Sequence, residues 1–152
     1  MAIHIDLDNA VGNDVSVPSE ALFITWATNT LAGERDNAEL CIRIVDAQES
    51  AELNAQYRQQ DKPTNVLSFP SGLPDNAEWP MLGDLAICAS VVAREAAEQG
   101  KLLNAHWAHM TIHGVLHLLG FDHIDDAEAE VMEAKEIALL AALGFANPYE
   151  ER

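Results

Sequence analysis

The chain alternates between short stretches in which every second residue is apolar and longer stretches in which apolar residues recur every three or four positions. The first pattern is typical of half-buried strands, and the second is typical of helices with one apolar face. Alternation at residues 3–7 and 40–44 predicts two strands. Apolar runs at 66–69 and 83–88, each bounded by turn-forming residues, predict two more.

Helical spacing predicts five helices, whose ends are marked by capping residues and glycines. The residues near which these helices are expected to begin are Pro18, Asp46, Val91, Asn104 and Asp125. Asn104 and Asp125 are the predicted N-caps of the last two helices. The glycines expected to end helices are Gly33, Gly100, Gly120 and Gly144.

The order of elements is strand, helix, strand, helix, two strands and then helices. This order predicts an α+β fold in which about five helices pack on a small mixed sheet of four strands. The helix that carries most of the histidines should be buried at the centre, because Trp107, Met110, Ile112 and Leu116 leave little of it for solvent. With 152 residues and no internal repeat, the chain is expected to be a single domain, residues 1–152.

Composition indicates a globular protein, with 49% hydrophobic and 22% charged residues. No run approaches the roughly twenty apolar residues that span a bilayer, and the first residues lack the basic and apolar regions of a secretory signal. Cys41 and Cys88 form no Cys-x-x-Cys pair and are expected to be buried free thiols in a reducing compartment. We therefore expect a cytoplasmic protein without membrane contact.

The formal net charge of −17 excludes a broad basic surface for nucleic acid. Because the chain has only eight Lys and Arg residues, an anionic polymer could be held only locally, through a metal ion and a few cations in a cleft. Most of the carboxylates are expected to aid solubility. The acidic run from Asp125 to Glu136 is interpreted in the same way, as a solvated helix face.

Five of the six histidines lie between residues 106 and 123, and three of them have the spacing of metal ligands. His113 and His117 are one helical turn apart and would share a helix face. Gly120 ends the helix and can turn the chain so that His123 approaches from another side. Three imidazoles leave an open fourth position, as in catalytic zinc sites, whereas structural sites are closed. A chance cluster of ordinary histidines is the alternative.

The pattern His-x-x-x-His-x-x-Gly-x-x-His is also that of the metzincin peptidases, which makes the predicted site zincin-like. Those enzymes have Glu directly after the first histidine as general base, whereas this chain has Gly114. A peptidase would therefore have to take its base from elsewhere in the chain. A glycine inside a helix costs up to about 1 kcal/mol relative to alanine, so Gly114 indicates close packing or access at the metal.

Further residues could contribute to the chemistry of this site. Arg58 is expected at a helix end, where its guanidinium could clamp a phosphate or simply complement the helix dipole. Asp122 could orient an imidazole through its second nitrogen or lie in solvent. His106 and His109 could support the ligands or face the substrate, but solvation is the interpretation that the sequence favours for both.

Several blocks of the sequence resemble the YbeY family of bacterial endoribonucleases. The most specific is residues 113–123, HGVLHLLGFDH. The other matching blocks are Leu53-Asn54, Tyr57-Arg58, Asp61, Pro63-Thr64-Asn65-Val66-Leu67-Ser68-Phe69-Pro70 and Gly83-Asp84-Leu85. The chain departs from the family pattern at Phe121, where Tyr is common, and at Asn65, where Asp is common.

The resemblance implies a zinc-dependent endoribonuclease that prefers single-stranded RNA, matures the 3′ end of small-subunit ribosomal RNA and takes part in ribosome quality control. By motif position, His113, His117 and His123 would be ligands of one Zn²⁺ or another divalent ion, and Arg58, His113 and His117 would act in catalysis. The implied partners are single-stranded and ribosomal RNA and the ribosome or its assembly proteins, but not DNA.

The expected chemistry is metal-assisted phosphodiester cleavage, in which Arg58 stabilises charge on the phosphate. Two alternatives remain at this point. One is a metzincin-like metallopeptidase, and the other is a non-catalytic, zinc-stabilised module that binds the ribosome.

Overall fold

The structure is a computed structural model that describes residues 2–12, 16–71, 81–122 and 124–149. The strands in these ranges are β1 (Ala2–Asn9), β2 (Asn37–Val45), β3 (Val66–Pro70) and β4 (Met81–Cys88). The helices are α1 (Glu20–Leu31), α2 (Ala47–Arg58), α3 (Ala89–Gln99), α4 (Leu103–Leu118) and α5 (Asp126–Ala142). The predicted α+β fold and its order of elements are confirmed.

The strands form a mixed sheet in the order β1-β2-β4-β3. β1 pairs with β2, and β2 with β4, in parallel, while the short β3 runs antiparallel to β4 at the sheet edge. Alternation in β1 and β2 makes one face of the sheet apolar, and the continuous apolar runs of β3 and β4 add apolar side chains on the other face. Leu40, Ile42 and Ile44 of β2 belong to the main core, which α1 and α4 share. Leu67 and Cys88 belong to a smaller cluster on the other face, towards α2.

α4 lies at the centre of the main core, where it contacts β3, β4, α1, α3 and α5. Trp107, Ile112 and Val115 of this helix are fully buried, and the ring of Trp107 meets Phe23 of α1 edge-on with 5.6 Å between the ring centroids. Neither α4 nor any other helix in the described ranges is long and apolar enough to cross a membrane. Burial on nearly every side marks a core helix, so the predicted central place of α4 is confirmed.

The helix starts test the predicted caps. The Asp125 carboxylate caps α5, accepting a hydrogen bond from the Glu128 N–H at 2.8 Å, as predicted. The prediction that Asn104 caps α4 is wrong, because α4 already begins at Leu103 and its N-cap, Leu102, makes no side-chain cap hydrogen bond. Packing of α4 in the core, rather than a local cap, therefore sets where this helix begins.

Gly114 lies where α4 touches the sheet. A Cβ atom at this position would lie 2.8 Å from Leu85 Cδ2 and 3.1 Å from Val66 Cγ2, closer than carbon atoms pack without strain. The Gly114 carbonyl also accepts a hydrogen bond from Ser68 Oγ at 3.1 Å. The missing side chain thus lets α4 lie directly against β3 and β4, which confirms close packing as a reason for this glycine.

Replacing Gly114 by Ala is expected to lower the free energy of unfolding by about 1–2 kcal/mol. Overpacking costs about 1–3 kcal/mol, whereas the gain in helix propensity is at most about 1 kcal/mol. Leu85 is 1% exposed and has little room to yield. Chemical denaturation measures the difference. Gly33→Ala is the matched control, because a Cβ there meets nothing within 4 Å. A Gly114→Ala variant as stable as this control would contradict the close packing.

Candidate active site

His113 and His117 stand on the face of α4 that is not packed into the core. Their Nε2 atoms are 3.1 Å apart, and their ring centroids are 4.6 Å apart. The four-residue spacing places one ring a turn above the other, as the sequence predicts. The His113 side chain is 22% exposed, so the pair can be reached from solvent.

The spacing of this pair fits two ligands of one metal ion. In a tetrahedral zinc site with Zn–N bonds of about 2.0–2.1 Å, two ligand nitrogens lie roughly 3.3 Å apart. The two Nε2 atoms, separated by 3.1 Å, are close to that value. Imidazole nitrogen is also a donor that zinc commonly takes in catalytic sites. The donors and their distance are therefore suited to a divalent metal.

The third predicted ligand, His123, lies outside the described residues. The chain leading to it turns as expected, because Gly120 has a φ of 102° and its N–H donates to the His117 carbonyl at 3.0 Å. Among the residues that the structure describes, no group of three His, Cys, Asp or Glu side chains is placed to hold a metal ion. His123 as a ligand stays a prediction.

A buried carboxylate lies behind the histidine pair. Glu136 of α5 is 1% exposed. Its Oε2 lies 3.2 Å from His113 Nδ1 and 2.6 Å from His109 Nε2, and its Oε1 accepts a hydrogen bond from the Tyr149 hydroxyl at 2.8 Å. Burial, followed by the charge of Glu136, raises the pKa of Tyr149, so this hydroxyl keeps its proton and remains a donor.

The prediction of a solvated Glu136 is wrong. Met132, Glu136 and Leu140 follow one another at four-residue spacing and form the buried stripe of α5. The position of Glu136 within this apolar stripe was thus a feature of the sequence that could have predicted its burial. Burial by itself would raise the pKa of Glu136, but hydrogen bonds and charge from His109 and His113 outweigh it and lower the pKa to about 2. Glu136 is an ionised group inside the core.

The favoured interpretation of His106 and His109 as solvated is also wrong, because they are 2% and 5% exposed. His106 Nε2 lies 2.9 Å from Glu95 Oε1 of α3. In the same way, His109 pairs with Glu136 of α5. Burial lowers the pKa of His106, although Glu95 acts in the opposite direction. The packing of α3 and α5 against α4 therefore replaces water around these rings with carboxylates.

The histidine pair opens into a cleft of about 820 Å³. Arg58, the last residue of α2, lines the same cleft and is the only Lys or Arg among its described lining residues. Tyr57 and Phe69 form an aromatic wall, with their rings edge-on at 4.9 Å. Phe121 and Asp122, which follow α4, also line the cleft. The fold thus brings the predicted arginine to the two histidines although they are far apart in sequence.

The chain resembles a solved structure and matches a protein-family model. The solution structure of TM1509 from Thermotoga maritima is similar with a TM-score of 0.62 and 27% identity, over 91% of this chain and 86% of that chain. The model of the family described as endoribonuclease YbeY matches residues 11–144. The chain belongs to the YbeY family.

Membership of the YbeY family makes the chain an endoribonuclease of ribosomal RNA maturation, and its substrate class is RNA. The matched range contains Arg58 and all four histidines of α4. The resemblance read from the motif blocks is therefore confirmed at the level of the family. The roles of individual side chains in the cleft remain predictions.

The side chain of Asn65 is hydrogen-bonded to Glu95 of α3. Its side-chain amide donates to the two Glu95 carboxylate oxygens at 3.1 and 3.4 Å. The same carboxylate meets His106 on α4. An aspartate at position 65 would set two carboxylates against each other, so the amide is matched to its neighbour.

Replacing Asn65 by Asp is expected to lower the free energy of unfolding by about 1–3 kcal/mol, because Glu95 loses a donor and gains a like charge. Adding Glu95→Gln should recover at least half of the loss, since the new amide can donate to the new carboxylate. Urea titrations of the single and double variants measure this coupling. Glu98→Gln, on a side chain of α3 that is 66% exposed, is the control and should recover nothing. Strictly additive effects of Asn65→Asp and Glu95→Gln would contradict the contact.

Proposed function

We propose that this endoribonuclease is zinc-dependent, prefers single-stranded RNA, and acts on the 3′ end of small-subunit ribosomal RNA and in ribosome quality control. Residues 1–152 would form one metal-dependent domain for this task. The observation that carries the proposal is the cleft that Arg58 shares with His113 and His117. The family supplies the reaction class, and the cleft supplies groups that phosphodiester cleavage can use.

His113, His117 and His123 would hold the metal ion. When bound, zinc or another divalent ion supplies a Lewis acid that polarises a phosphoryl oxygen or lowers the pKa of water. The Nε2 spacing of 3.1 Å between His113 and His117 supports this assignment. Because neutral imidazoles carry no negative charge, they leave the full charge of the cation directed at the cleft, where the phosphate would lie.

Arg58 would stabilise the negative charge that develops on the phosphate during cleavage. Its guanidinium presents donors in a planar fork that matches two phosphate oxygens. Since no other Lys or Arg of the described chain lines the cleft, the role falls to this residue. An arginine that only complemented the dipole of α2 would not need to share a cleft with the histidine pair.

The wall of the cleft supports a preference for unpaired RNA. Tyr57 is 59% exposed and stands beside Phe69, which offers aromatic surface on which an unstacked base can lie. The bases of a duplex are already stacked and cannot use such a surface. With a net charge of −17 and one cation in the described cleft, we expect weak retention of free RNA, so the ribosome or an assembly protein would present the substrate in the cytoplasm.

A metzincin-like peptidase with a base from elsewhere in the chain is not favoured, because the chain belongs to a family of endoribonucleases. The usual base, a glutamate directly after His113, would not fit, since a Cβ at position 114 would run into Leu85 and Val66 of the sheet. Position 114 thus faces the core rather than the cleft. A zinc-stabilised binding module without catalysis is not favoured either, because the chain belongs to a family of endoribonucleases.

His117→Ala is expected to abolish both metal binding and RNA cleavage. Arg58→Glu should keep the metal and reduce cleavage by about 100-fold or more, since it removes and reverses the charge that stabilises the transition state. Metal content per protein and cleavage of a single-stranded segment of ribosomal RNA are the two measurements.

Two surface substitutions serve as matched controls. His4→Ala removes a histidine whose side chain is 68% exposed on β1, and Arg94→Glu reverses an arginine that is 60% exposed on α3. Both should keep metal content and cleavage. Retained cleavage in His117→Ala and Arg58→Glu together would refute the assignment, and loss of metal in Arg58→Glu would assign that arginine to the metal site instead.

A cleft with one or two phosphate contacts predicts a shallow salt dependence for binding free single-stranded RNA. Affinity should fall roughly three- to sevenfold between about 50 and 200 mM salt, whereas six to ten contacts on a broad basic surface would cost more than about 300-fold. Fluorescence anisotropy with a labelled, uncleavable oligonucleotide measures the slope. A drop above about 100-fold would show an extended cationic footprint and contradict the localised site.

A further inference from the structure

Glu136 is the most buried carboxylate in the described part of the chain, at 1% exposed, and the chemistry proposed above does not use it. Its partners come from two segments. His109 and His113 approach from α4, and Tyr149 approaches from the segment that follows α5. A carboxylate is costly to bury unless it is paired and hydrogen-bonded, so these contacts are what allow Glu136 to stand here.

The contact with His113 determines where the proton of that ring lies. Carboxylate oxygens accept hydrogen bonds, so an imidazole nitrogen that contacts one is expected to donate its N–H. His113 Nδ1 lies 3.2 Å from Glu136 Oε2 and is that nitrogen. In the neutral ring, Nε2 then carries the lone pair, and it is the atom 3.1 Å from His117 Nε2. The tautomer held by Glu136 is therefore the one that can bind a cation from the cleft.

Two further contacts hold the carboxylate in place. His109 Nε2 lies 2.6 Å from Oε2, and the Nδ1 atom of His109 has no hydrogen-bond partner among the described residues, which places the ring proton of His109 on Nε2. The Tyr149 hydroxyl donates to Oε1 at 2.8 Å. With both oxygens bonded and 1% of the residue exposed, Glu136 is held against His113.

We propose that Glu136 is a positioning residue, which keeps His113 in its Nδ1–H tautomer with Nε2 directed at the cleft, so that the pair is ready for a divalent cation before one arrives. The purpose of this arrangement rests on the proposed metal site, but the tautomer can be measured without any metal. The negative charge behind the ring also makes Nε2 a stronger donor to a cation, and loss of such partners typically weakens metal affinity about 10–100-fold.

The test compares the full chain with Glu136→Gln, which keeps the shape and removes the charge. In metal-free protein labelled with ¹⁵N histidine, NMR at mildly alkaline pH should show wild-type His113 protonated at Nδ1 alone. Glu136→Gln should show a mixture of tautomers, because a glutamine amide can donate as well as accept. Zinc affinity, from competition with a coloured chelator, should fall about 10–100-fold. Glu130→Gln, which alters an exposed carboxylate on the same helix, is the control and should change neither the His113 tautomer nor the zinc affinity.

Wild-type His113 protonated at Nε2 would overturn the proposal, as would a Glu136→Gln protein with unchanged tautomer and zinc affinity. If Glu136→Gln does not fold, Tyr149→Phe provides a second comparison, because it removes the bond to Oε1 and the 3.3 Å contact of the hydroxyl with His109 Nε2. It should weaken zinc binding by about two- to tenfold. Failure of the wild-type chain to bind zinc would overturn the proposed metal site, while the tautomer in the metal-free protein would still decide the role of Glu136.

Discussion

Burial of α4 on nearly every side fixes the position of the two cleft histidines. Trp107, Ile112 and Val115 are held in the core, and the missing side chain at Gly114 lets the helix rest on the sheet. Turning the helix by one residue, about 100°, would push an imidazole into apolar packing and expose a tryptophan. The orientation of the pair therefore follows from packing and precedes any ligand, which is what a preorganised site requires.

The same burial imposes a second requirement on the fold. His106 and His109 precede the pair on α4 and lie where water cannot reach them. A buried polar group without a partner costs about 1–3 kcal/mol, so the neighbouring helices must provide acceptors. Glu95 of α3 and Glu136 of α5 meet this need. The buried Glu136, the partly buried Glu95 and the row of histidines thus depend on each other.

Local sequence patterns were sufficient for the elements of the fold. Alternation and helical spacing predicted the strands and helices, a left-handed residue was expected and found at Gly120, and a tight contact was expected and found at Gly114. These features depend on neighbours in sequence. The partners of buried side chains do not depend on neighbours in sequence. Glu136 and His109 are 27 residues apart and meet only because of how α5 packs against α4.

The wrong predictions have the same cause: tertiary packing, which local sequence patterns do not encode. Asn104 has the side chain of a good cap, but the start of α4 is set by its packing in the core. The carboxylates of α5 look alike in composition, and only their place relative to the apolar stripe separates the buried Glu136 from its solvated neighbours. Cleft residues drawn from different elements, such as Arg58 and His117, meet through the tertiary fold. The family resemblance could predict that these residues share a site, but the periodicity of apolar residues could not.

Net charge and local charge are separate quantities in this protein. The chain carries −17, yet the charged side chains among the described lining of the cleft are one arginine, Arg58, and one aspartate, Asp122. Glu136 stands behind His113 rather than beside the path of a phosphate. A negative charge placed there attracts a cation to the histidine pair, while the imidazole rings separate it from the cleft. The acidic surface repels RNA over the length of a few Debye lengths, about 8 Å each at physiological salt. An acidic endoribonuclease is therefore physically consistent when its substrate is brought to the cleft by another particle, because long-range repulsion then limits encounters with other RNA without weakening the contacts made inside the site.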